Sequence, residues 1–338
     1  MKKEYTPLTS RALLIEQLPL ATPFSIHVCP ATFCNFKCFY CTMSKHDRGG
    51  VLSDTNIKFM DMGFYKLLIE QMKEFPNKLK LLNFAWLGEP LLHPDIVEMV
   101  RIAKQADIAE RVEIVSNGSM LNYELSKGLV EAGLDRIRIS LQGLTEEAYW
   151  EASQYRIDLD KFNENIRVLH KLSKEHGSKT KIYIKIMDAM LKSEEDEALF
   201  KERYEDICDF INIETLIPLV EDIDISGVKQ NINTGFWGNE IREISCCPEP
   251  FYTLVVSPAG MVMPCCEMGD KLNLGIISET NSIVDIWNGE KMLRVRRMMI
   301  EEGRGVHPVC RECRQVKYQI ADEDILDSHI DRLKEMYK

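Results

Sequence analysis

The chain has no long hydrophobic run, and this absence argues against a membrane-spanning protein. Hydrophobic residues make up 45% of its 338 residues, but no apolar stretch approaches the roughly 20 residues that a transmembrane helix needs. The first 20 residues also lack the clean apolar core of a signal peptide, because Glu4, Arg11 and Glu16 interrupt them. We therefore expect a cytoplasmic protein without membrane contact, in which the cysteines are reduced.

Concentrated positive charge is also lacking, and this disfavours a nucleic-acid partner. Lys and Arg number 42 against 53 Asp and Glu, which gives a net charge of −11. Contacts to phosphate need clustered basic residues, whereas here only Arg294, Arg296 and Arg297 stand close together. We expect that short run to lie on the solvated face of a helix. The length favours one large domain with a smaller one beside it.

Cysteine is abundant, and three of the 11 cysteines stand in the spacing C-x3-C-x2-C: Cys34, Cys38 and Cys41. Three thiolates can hold a cubane iron–sulfur cluster whose fourth iron stays open to a small molecule, whereas a four-cysteine cluster is closed. The bacterial ferredoxin order is different. A zinc site completed by His27 or His46 is the main alternative. The spacing favours the open cluster, and zinc is not excluded by it.

Strand-like and helix-like segments alternate over residues 24–215, as βα units around a parallel sheet do. Apolar residues at helical spacing predict helices at residues 95–107 and 122–133. Six strands are predicted, at residues 24–28, 79–86, 111–115, 136–141, 181–187 and 210–214. Six βα units cannot close an eight-stranded barrel, so the sequence predicts an α/β fold with a partial (β/α)6 TIM-type barrel.

The alternation of strand-like and helix-like segments ends near residue 216, which predicts further domains after the barrel. We expect the barrel core to occupy residues 1–217 and an acidic connector, anchored by Trp237, to occupy residues 218–245. Residues 246–338 carry six of the 11 cysteines and are predicted to form an auxiliary domain. Its predicted elements are a hairpin of strands at residues 251–256 and 261–263 and a C-terminal helix at residues 323–337.

Polar residues follow the predicted strands at the point where a βα barrel gathers its reactive groups, the C-terminal strand ends. The cysteine triple follows the first strand. The residues at the next three strand ends are Gly88, Glu89 and Pro90, then Ser116 and Asn117, then Ser140 and Gln142. This coincidence predicts a single site at that end of the barrel.

Together these motifs resemble the radical S-adenosylmethionine (radical SAM) superfamily. The cysteine triple has Tyr40 just before its last member, and Gly88-Glu89-Pro90 resembles the GGEP motif with Leu87 in place of the first glycine. The resemblance implies a [4Fe–4S] cluster that is bound to three cysteines and to S-adenosylmethionine. In that superfamily the cofactor is cleaved reductively to a 5′-deoxyadenosyl radical, which abstracts a substrate hydrogen.

The resemblance also implies which residues contact S-adenosylmethionine. Glu89 would contact the methionine amino group, and the polar ends of strands three and four would reach its ribose or carboxylate. The implied contacts are Tyr40, Gly88, Glu89, Pro90, Ser116, Asn117, Ser140 and Gln142. Ordinary strand-ending turns would use similar residues. An electron donor such as flavodoxin or ferredoxin is implied as a partner.

A second cysteine set resembles the SPASM/twitch class of C-terminal domain. The resemblance implies one auxiliary [4Fe–4S] cluster with the ligands Cys247, Cys265, Cys310 and Cys313. The doublets that include Cys246 and Cys266 leave two of these ligands open by one position. No cysteine follows Cys313, so the one-cluster twitch form fits better than the full SPASM form. Four cysteines ending in C-x2-C also describe a zinc ribbon, so zinc is an alternative here.

The reaction is predicted from the auxiliary cluster. A closed cluster can take one electron from a substrate radical, so hydrogen abstraction followed by electron loss oxidises the substrate by two electrons. We expect dehydrogenation of a small molecule such as a sugar or cyclitol alcohol, as in aminocyclitol dehydrogenases of the twitch class. Peptide maturation by crosslinking or epimerisation is the alternative. A non-catalytic iron–sulfur or zinc protein is the third hypothesis.

Four single residues complete the predictions. Cys29 and Cys208 fall within or beside strand and helix patterns, and we expect them to be buried as small hydrophobic residues. No substrate base is assigned: Lys185 and Glu214 are the residues considered, and we expect structural roles for both. Their side chains face either the barrel interior or the outside, depending on the register of their strands.

Overall fold

The structure, a computed structural model, describes residues 11–41, 57–177, 179–217, 234–235, 240–266 and 272–338. Within these residues no helix is long and apolar enough to cross a membrane. The predicted connector, with Trp237, lies largely outside the described residues, and His46 lies outside them too. The domain boundaries drawn from the sequence therefore stay a prediction.

A nine-stranded sheet organises the described part of the chain, in the order β6-β5-β4-β3-β2-β1-β7-β8-β9. Strands β1 to β6 pair in parallel along the chain, β7 pairs in parallel with β1, and β8 and β9 add antiparallel strands. The strands are β1 Ser25–Val28, β2 Leu81–Phe84, β3 Val112–Ser116, β4 Arg136–Leu141, β5 Lys181–Met187, β6 Phe210–Glu214, β7 Thr253–Val256, β8 Met261–Met263 and β9 Gly275–Ile276. The six consecutive parallel strands confirm the partial barrel.

The helices of the first six units cover one face of this sheet. In β4 the buried residues Ile137, Ile139 and Leu141 join the main core, whereas the intervening side chains point to the other face. The α-helices are α1 Met62–Met72, α2 Ile96–Ala106, α3 Tyr123–Glu131, α4 Glu146–Ser153, α5 Leu159–Glu175, α6 Glu194–Tyr204, α7 Glu249–Tyr252, α8 Ile283–Asn288, α9 Glu290–Glu301, α10 Pro308–Glu312, α11 Gln315–Gln319 and α12 Ile330–Met336.

Side-chain caps fix where several of these helices begin. Asn122 accepts a hydrogen bond from the Leu125 N–H at the start of α3, and Thr145 does the same for the Ala148 N–H at the start of α4. After α3 the chain leaves the helix at Gly133, whose φ of 86° is the left-handed conformation that glycine tolerates. The ends predicted for α3 were therefore close to those observed.

The predicted C-terminal helix is wrong in its first half. Residues Asp322–Asp324 and Asp327–His329 form separate 3-10 turns, and the α-helix spans only Ile330–Met336. Tertiary contacts account for the break. Asp324 forms an ion pair with Arg11, and Asp327 accepts hydrogen bonds from the N–H groups of Ser245 and Cys246.

The expectation of a solvated basic face on α9 is wrong for Arg296. Its residue exposure is 7%, and its guanidinium lies 4.1 Å from the centroid of the Trp287 ring and donates to the Pro250 carbonyl. A long side chain can bury its stem and stack its charge on an aromatic face. Arg294, by contrast, is exposed.

The first and last described segments pack together beside the barrel. Leu14, Ile15 and Leu18 lie in one apolar cluster with Leu326 and Leu333 of the C-terminal region. The sheet also links the two regions, because Ser25 to Val28 of β1 pair in parallel with Thr253 to Val256 of β7. The auxiliary region is thus joined to the barrel by both a strand ladder and an apolar core.

Candidate active site

The loop that carries the first cysteine set is held by α4. The Lys37 N–H donates to the Ser153 carbonyl at 2.7 Å, and the Phe39 N–H donates to the Ala152 carbonyl at 3.0 Å. Phe36 packs inside this loop, with its ring centroid 4.6 Å from that of Tyr155. These contacts fix the backbone on both sides of Cys38.

The three thiols of this loop lie close enough to affect one another. Burial raises the pKa of Cys34 to about 11, and the nearby Cys41 adds to the rise. Burial also raises the pKa of Cys38, and the charges of Cys41 and Cys34 raise it further. Three thiolates at this position need a positive partner, and iron in a cluster supplies that charge. The donor set therefore fits a three-cysteine cluster.

Gly88 lets the loop after β2 pass directly against the cysteine loop. Its φ is 70°, and a Cβ added there would lie 2.1 Å from the Ala31 carbonyl oxygen. The next residue, Glu89, donates its N–H to the Phe33 carbonyl at 2.8 Å. Only glycine fits this close approach, so the GEP segment is fitted to the backbone that leads to Cys34.

The departure from the GGEP pattern has a local cause. Leu87, which replaces the first glycine, is 4% exposed and packs with Cys29 and Trp86 in a small apolar cluster. Cys29 is fully buried, as expected, and so is Cys208 at 5% exposure. Trp86 adopts a φ of 98°, an unusual conformation for a bulky residue. Its indole N–H donates to the Cys266 carbonyl at 2.6 Å.

Glu89 is engaged with the protein itself. Its residue exposure is 2%, and burial raises the pKa of its carboxyl. Oε1 accepts from the Ser116 hydroxyl at 2.6 Å and from the Leu91 N–H at 3.0 Å, and Oε2 accepts from the Asn117 N–H at 2.7 Å. The carboxylate thus joins the loops after β2 and β3. The contact with the methionine amino group stays a prediction.

Asn117 brings the loop after β3 to the cysteine set. Its side-chain amide donates to Asn35 Oδ1 at 2.9 Å, and its Nδ2 lies 3.8 Å from Cys34 Sγ. Asn35 in turn donates to the hydroxyl of Ser119 at 2.8 Å. The neighbouring Ser116 is buried, and its hydroxyl donates to Glu89. The side chain of Asn117 therefore faces the loop that carries the first cysteine set, whereas the side chain of Ser116 points to Glu89.

The loop after β4 meets the cysteine loop through Tyr40. The Tyr40 hydroxyl donates to Gln142 Oε1 at 2.7 Å, and Gln142 Nε2 donates to the Ser140 carbonyl at 3.1 Å. Near this point Leu216 packs with Phe39 and Tyr40 in a small apolar cluster. The structure thus brings together residues of the four strand ends that the sequence singled out.

The register of β5 and β6 places Lys185 and Glu214 on the barrel interior, where they form an ion pair with each other. Glu214 Oε1 also accepts from the Tyr183 hydroxyl at 3.1 Å and from Arg138 Nη2 at 3.3 Å. Burial lowers the pKa of Lys185, and Glu214 opposes that effect. Arg138 and Tyr183 were missed by the sequence reasoning. The alternation of polar and apolar residues in Arg136–Leu141 was the signal that could have found Arg138.

Several cysteines of the second set are neighbours in the C-terminal region. The charges of Cys313 and Cys310 raise the pKa of Cys247, after the larger effects of burial and Glu249. Cys247 and Cys265 both pack against the cluster that contains the buried Cys310. Cys246 is fully buried, and the Cys266 thiol donates to Gln315 Oε1 at 3.1 Å. In number and type, the thiols of the four predicted ligands, Cys247, Cys265, Cys310 and Cys313, match those of a closed cluster.

Two family models match the chain. Residues 28–197 match the radical SAM superfamily, and residues 246–314 match SPASM, described as an iron–sulfur cluster-binding domain. The first match covers half of the chain. Its limits enclose the cysteine triple and the strand ends of β2, β3 and β4.

Individual proteins resemble the chain over different lengths. A GTP 3′,8-cyclase of Chlorobaculum tepidum is 32% identical over 147 residues, 44% of this chain, and the chain spans only 40% of that relative. An S-adenosyl-L-methionine-dependent 2-deoxy-scyllo-inosamine dehydrogenase of Niallia circulans is 22% identical over 298 residues, which are 86% of this chain and 92% of that relative.

Solved structures share the fold. BtrN in complex with AdoMet and 2-DOIA has a TM-score of 0.55 at 21% identity, and covers 89% of this chain and 96% of its own. Streptococcus suis SuiB bound to S-adenosylmethionine has a TM-score of 0.61 at 13% identity, with 90% and 74% covered. The shared fold, the two cysteine sets and the two family matches agree. The chain belongs to the radical SAM superfamily, binds a [4Fe–4S] cluster with S-adenosylmethionine, and carries an auxiliary iron–sulfur domain.

Proposed function

We propose that this enzyme oxidises a secondary alcohol of a small hydroxylated molecule, such as a sugar or cyclitol, to a ketone. The cysteines Cys34, Cys38 and Cys41 would hold the S-adenosylmethionine-binding cluster. The auxiliary cluster would be held by Cys247, Cys265, Cys310 and Cys313. The cofactor contacts would be Tyr40, Gly88, Glu89, Pro90, Ser116, Asn117, Ser140 and Gln142.

The observation that carries the proposal is the contact between the two cysteine-bearing regions. Trp86, directly before the Leu87-Gly88-Glu89 loop, donates its indole N–H to the Cys266 carbonyl at 2.6 Å. That carbonyl is one residue from Cys265. The loop that supports the cofactor site therefore touches the loop of the auxiliary site, so a substrate between them would lie near both.

The barrel interior supports a polar substrate. Lys185, Glu214, Arg138 and Tyr183 form a continuous group of donors and acceptors there. Lys185 pairs with Ser140 in the sheet register, two residues before Gln142. Hydroxyl groups can exchange hydrogen bonds with such a group.

The chemistry of the bound groups and of the substrate balances. S-adenosylmethionine bound with the cluster would supply the chemistry for abstracting one hydrogen atom from the substrate. Conversion of the alcohol to a ketone also releases one proton and one electron, and the electron needs an acceptor near the substrate. We propose that the auxiliary cluster is this acceptor. We also propose that ferredoxin or flavodoxin donates the electron that starts each turnover.

The likeness to the Niallia circulans dehydrogenase supports this choice of reaction, because it extends over 86% of this chain and 92% of that relative. The likeness to the Chlorobaculum tepidum cyclase extends over less than half of either protein, and the likeness to a probable GTP 3′,8-cyclase of Methanocaldococcus jannaschii extends over 65% of this chain and 66% of that relative. SuiB shares the fold at 13% identity, and such a likeness gives no argument about substrate.

The test is anaerobic turnover of the reconstituted enzyme with a panel of deuterated cyclitols, aminocyclitols and sugars. We expect one 5′-deoxyadenosine and one ketone per event, with deuterium transferred from the oxidised carbon to 5′-deoxyadenosine. Regeneration of S-adenosylmethionine unchanged would contradict the proposal. Modification of a short peptide but of no panel member would favour the peptide-maturase alternative instead.

Cysteine variants separate the two sites. Cys34→Ala should abolish S-adenosylmethionine cleavage, because the first cluster loses a ligand. Cys310→Ala should leave cleavage in place and reduce ketone formation at least tenfold. Cys208→Ala is the matched control, since Cys208 is equally buried but lies outside both sets. Equal loss of cleavage and ketone in Cys310→Ala would give the second site a purely structural role.

A further inference from the structure

Arg304 joins the two chain segments that carry most of the second cysteine set. It begins the 3-10 turn Arg304–Val306 shortly after α9. Its Nε donates to the Ile244 carbonyl at 2.9 Å, and its Nη1 donates to the carbonyls of Cys310 and Cys313 at 2.5 and 2.7 Å. One guanidinium therefore bonds to the backbone of both cysteines of the C-x2-C pair and to the segment that leads into Cys246 and Cys247.

The backbone at residues 303–304 packs closely against Ser245, in the segment that leads to Cys246. Gly303 has a φ of 73°, and a Cβ added there would lie 2.3 Å from the Ser245 hydroxyl oxygen. The Arg304 N–H donates to the Ser245 carbonyl at 2.9 Å. From the other side Asp327 accepts from the Ser245 N–H at 2.8 Å. The segment before Cys246 is thus held between residues 303–304 and Asp327.

The charge of Arg304 is also directed at the cysteines. In the described part of the chain its side chain bonds to backbone carbonyls and forms no ion pair, and its charge adds to the effect of Lys317 in lowering the pKa of Glu243. A positive charge here stabilises negative charge on the sulfur atoms. Reduction adds one more negative charge to a cluster, so the same cation raises its reduction potential.

We propose that Arg304 is a positioning residue of the auxiliary cluster, which aligns Cys247 with Cys310 and Cys313 and raises the reduction potential of that cluster. The inference rests on the proposed function for its purpose, since a higher potential suits a cluster that accepts the electron of a substrate radical. The planar fork of arginine is required, because one ammonium group cannot bond to three separated carbonyls in fixed directions.

The experiment isolates the auxiliary cluster in a Cys34→Ala, Cys38→Ala, Cys41→Ala background, where the first cluster cannot form. In this background we would compare Arg304→Gln, which removes the charge, with Arg304→Lys, which keeps it. Arg311→Gln is the control, because Arg311 lies between Cys310 and Cys313 on α10 and has an exposed side chain that pairs with Glu312. Iron content and a potentiometric titration followed by electron paramagnetic resonance are the readouts.

With Arg304 intact we expect about four irons per chain in this background. Arg304→Gln should retain less than half of that iron, and the cluster that remains should be at least tenfold harder to reduce, which is 59 mV for a one-electron couple. Arg304→Lys should lose iron but shift the reduction equilibrium less than threefold. Arg311→Gln should match the parent protein in both readouts.

The proposal would be overturned if both Arg304 variants had the same iron content and the same reduction potential as Arg311→Gln. Loss of iron without any shift in potential in Arg304→Gln would overturn its electrostatic half. If both shifts occur but no panel substrate is oxidised by the otherwise intact enzyme, Arg304 keeps its role and the proposed reaction fails. A background protein that binds no cluster would overturn both.

Discussion

At the scale of single residues, Glu89 is a highly constrained group of the candidate cofactor site. Its carboxylate accepts three hydrogen bonds from Ser116, Leu91 and Asn117 while almost fully buried. It therefore supports Asn117, which faces Cys34, in addition to any contact with the cofactor. This makes the geometry of the loop after β3 depend on one acidic side chain in the loop after β2.

Glu89→Gln should destabilise the protein by about 1–3 kcal/mol, because the amide NH2 of Gln turns a donor toward a donor and leaves one buried group unpaired. It should also weaken S-adenosylmethionine binding, since Asn117 loses its support. Thermal unfolding and calorimetric titration with the cofactor measure the two effects. Glu98→Gln, at an exposed position on α2, should change neither. An unchanged unfolding midpoint in Glu89→Gln would show that the three bonds are dispensable.

His27 gives the stability a predictable pH dependence. Burial lowers its pKa to about 4, and Glu113 opposes this while Arg138 adds to it. An unfolded histidine titrates near 6.5, so between these values the unfolded chain binds more protons than the folded protein. The contribution is complete above pH 6.5 and is lost as the pH falls toward 4. At pH 5.5 the loss should be about 1.4 kcal/mol.

His27→Asn should remove this part of the acid sensitivity, because Asn does not titrate and can still accept a hydrogen bond from Asn83. Unfolding midpoints of the anaerobic holoenzyme between pH 7.5 and 5.5 would measure it. His176→Asn changes an exposed histidine and should keep the sensitivity of the parent. The same slope in all three proteins would assign the acid sensitivity to other groups.

At the scale of elements, alternation made the strands predictable. Strands β4, β5 and β6 have the bounds drawn from the sequence, since their apolar residues alternate with polar ones that face the barrel interior. Strands β1 to β3 were displaced or trimmed by one to a few residues. The C-terminal helix was wrong because Asp324 and Asp327 bond to residues far away in sequence, which no local pattern records.

The candidate site divides in the same way. The cysteine triple and the loops after β2, β3 and β4 were found from the sequence, because short motifs and strand ends are local signals. The bond from Trp86 to Cys266 and the bonds of Arg304 were not found, since each joins residues that only the fold brings together. The register of β5 and β6 was also needed before Lys185 and Glu214 could be placed.

At the scale of the whole molecule, the auxiliary region completes the barrel sheet. Strand β1 lies between β2 and β7, so both of its edges are paired. The C-terminal residues Leu326 and Leu333 also cover Leu14, Ile15 and Leu18. The C-terminal region therefore has a structural role that is independent of any cluster it binds.

Deletion of residues 246–338 should yield an insoluble or unfolded barrel, because β1 would become an open edge and an apolar cluster would be exposed. A full-length Cys310→Ala, Cys313→Ala variant should stay soluble, since it removes two proposed cluster ligands and keeps the strand ladder. Soluble yield and far-ultraviolet circular dichroism would compare the two. A folded, soluble deletion protein would contradict the structural role.

The pairing of β1 with β7 also sets an order of events during synthesis. Ser25 pairs with Thr253, so about three quarters of the 338 residues must be synthesised before the partner of β1 exists. Contacts this distant in sequence form late, and the loop of the first cysteines follows β1 directly. Until β7 emerges, those cysteines stand beside an unpaired strand edge. Cluster delivery before β7 emerges would therefore meet an unfinished site, and productive loading should follow the synthesis of β7.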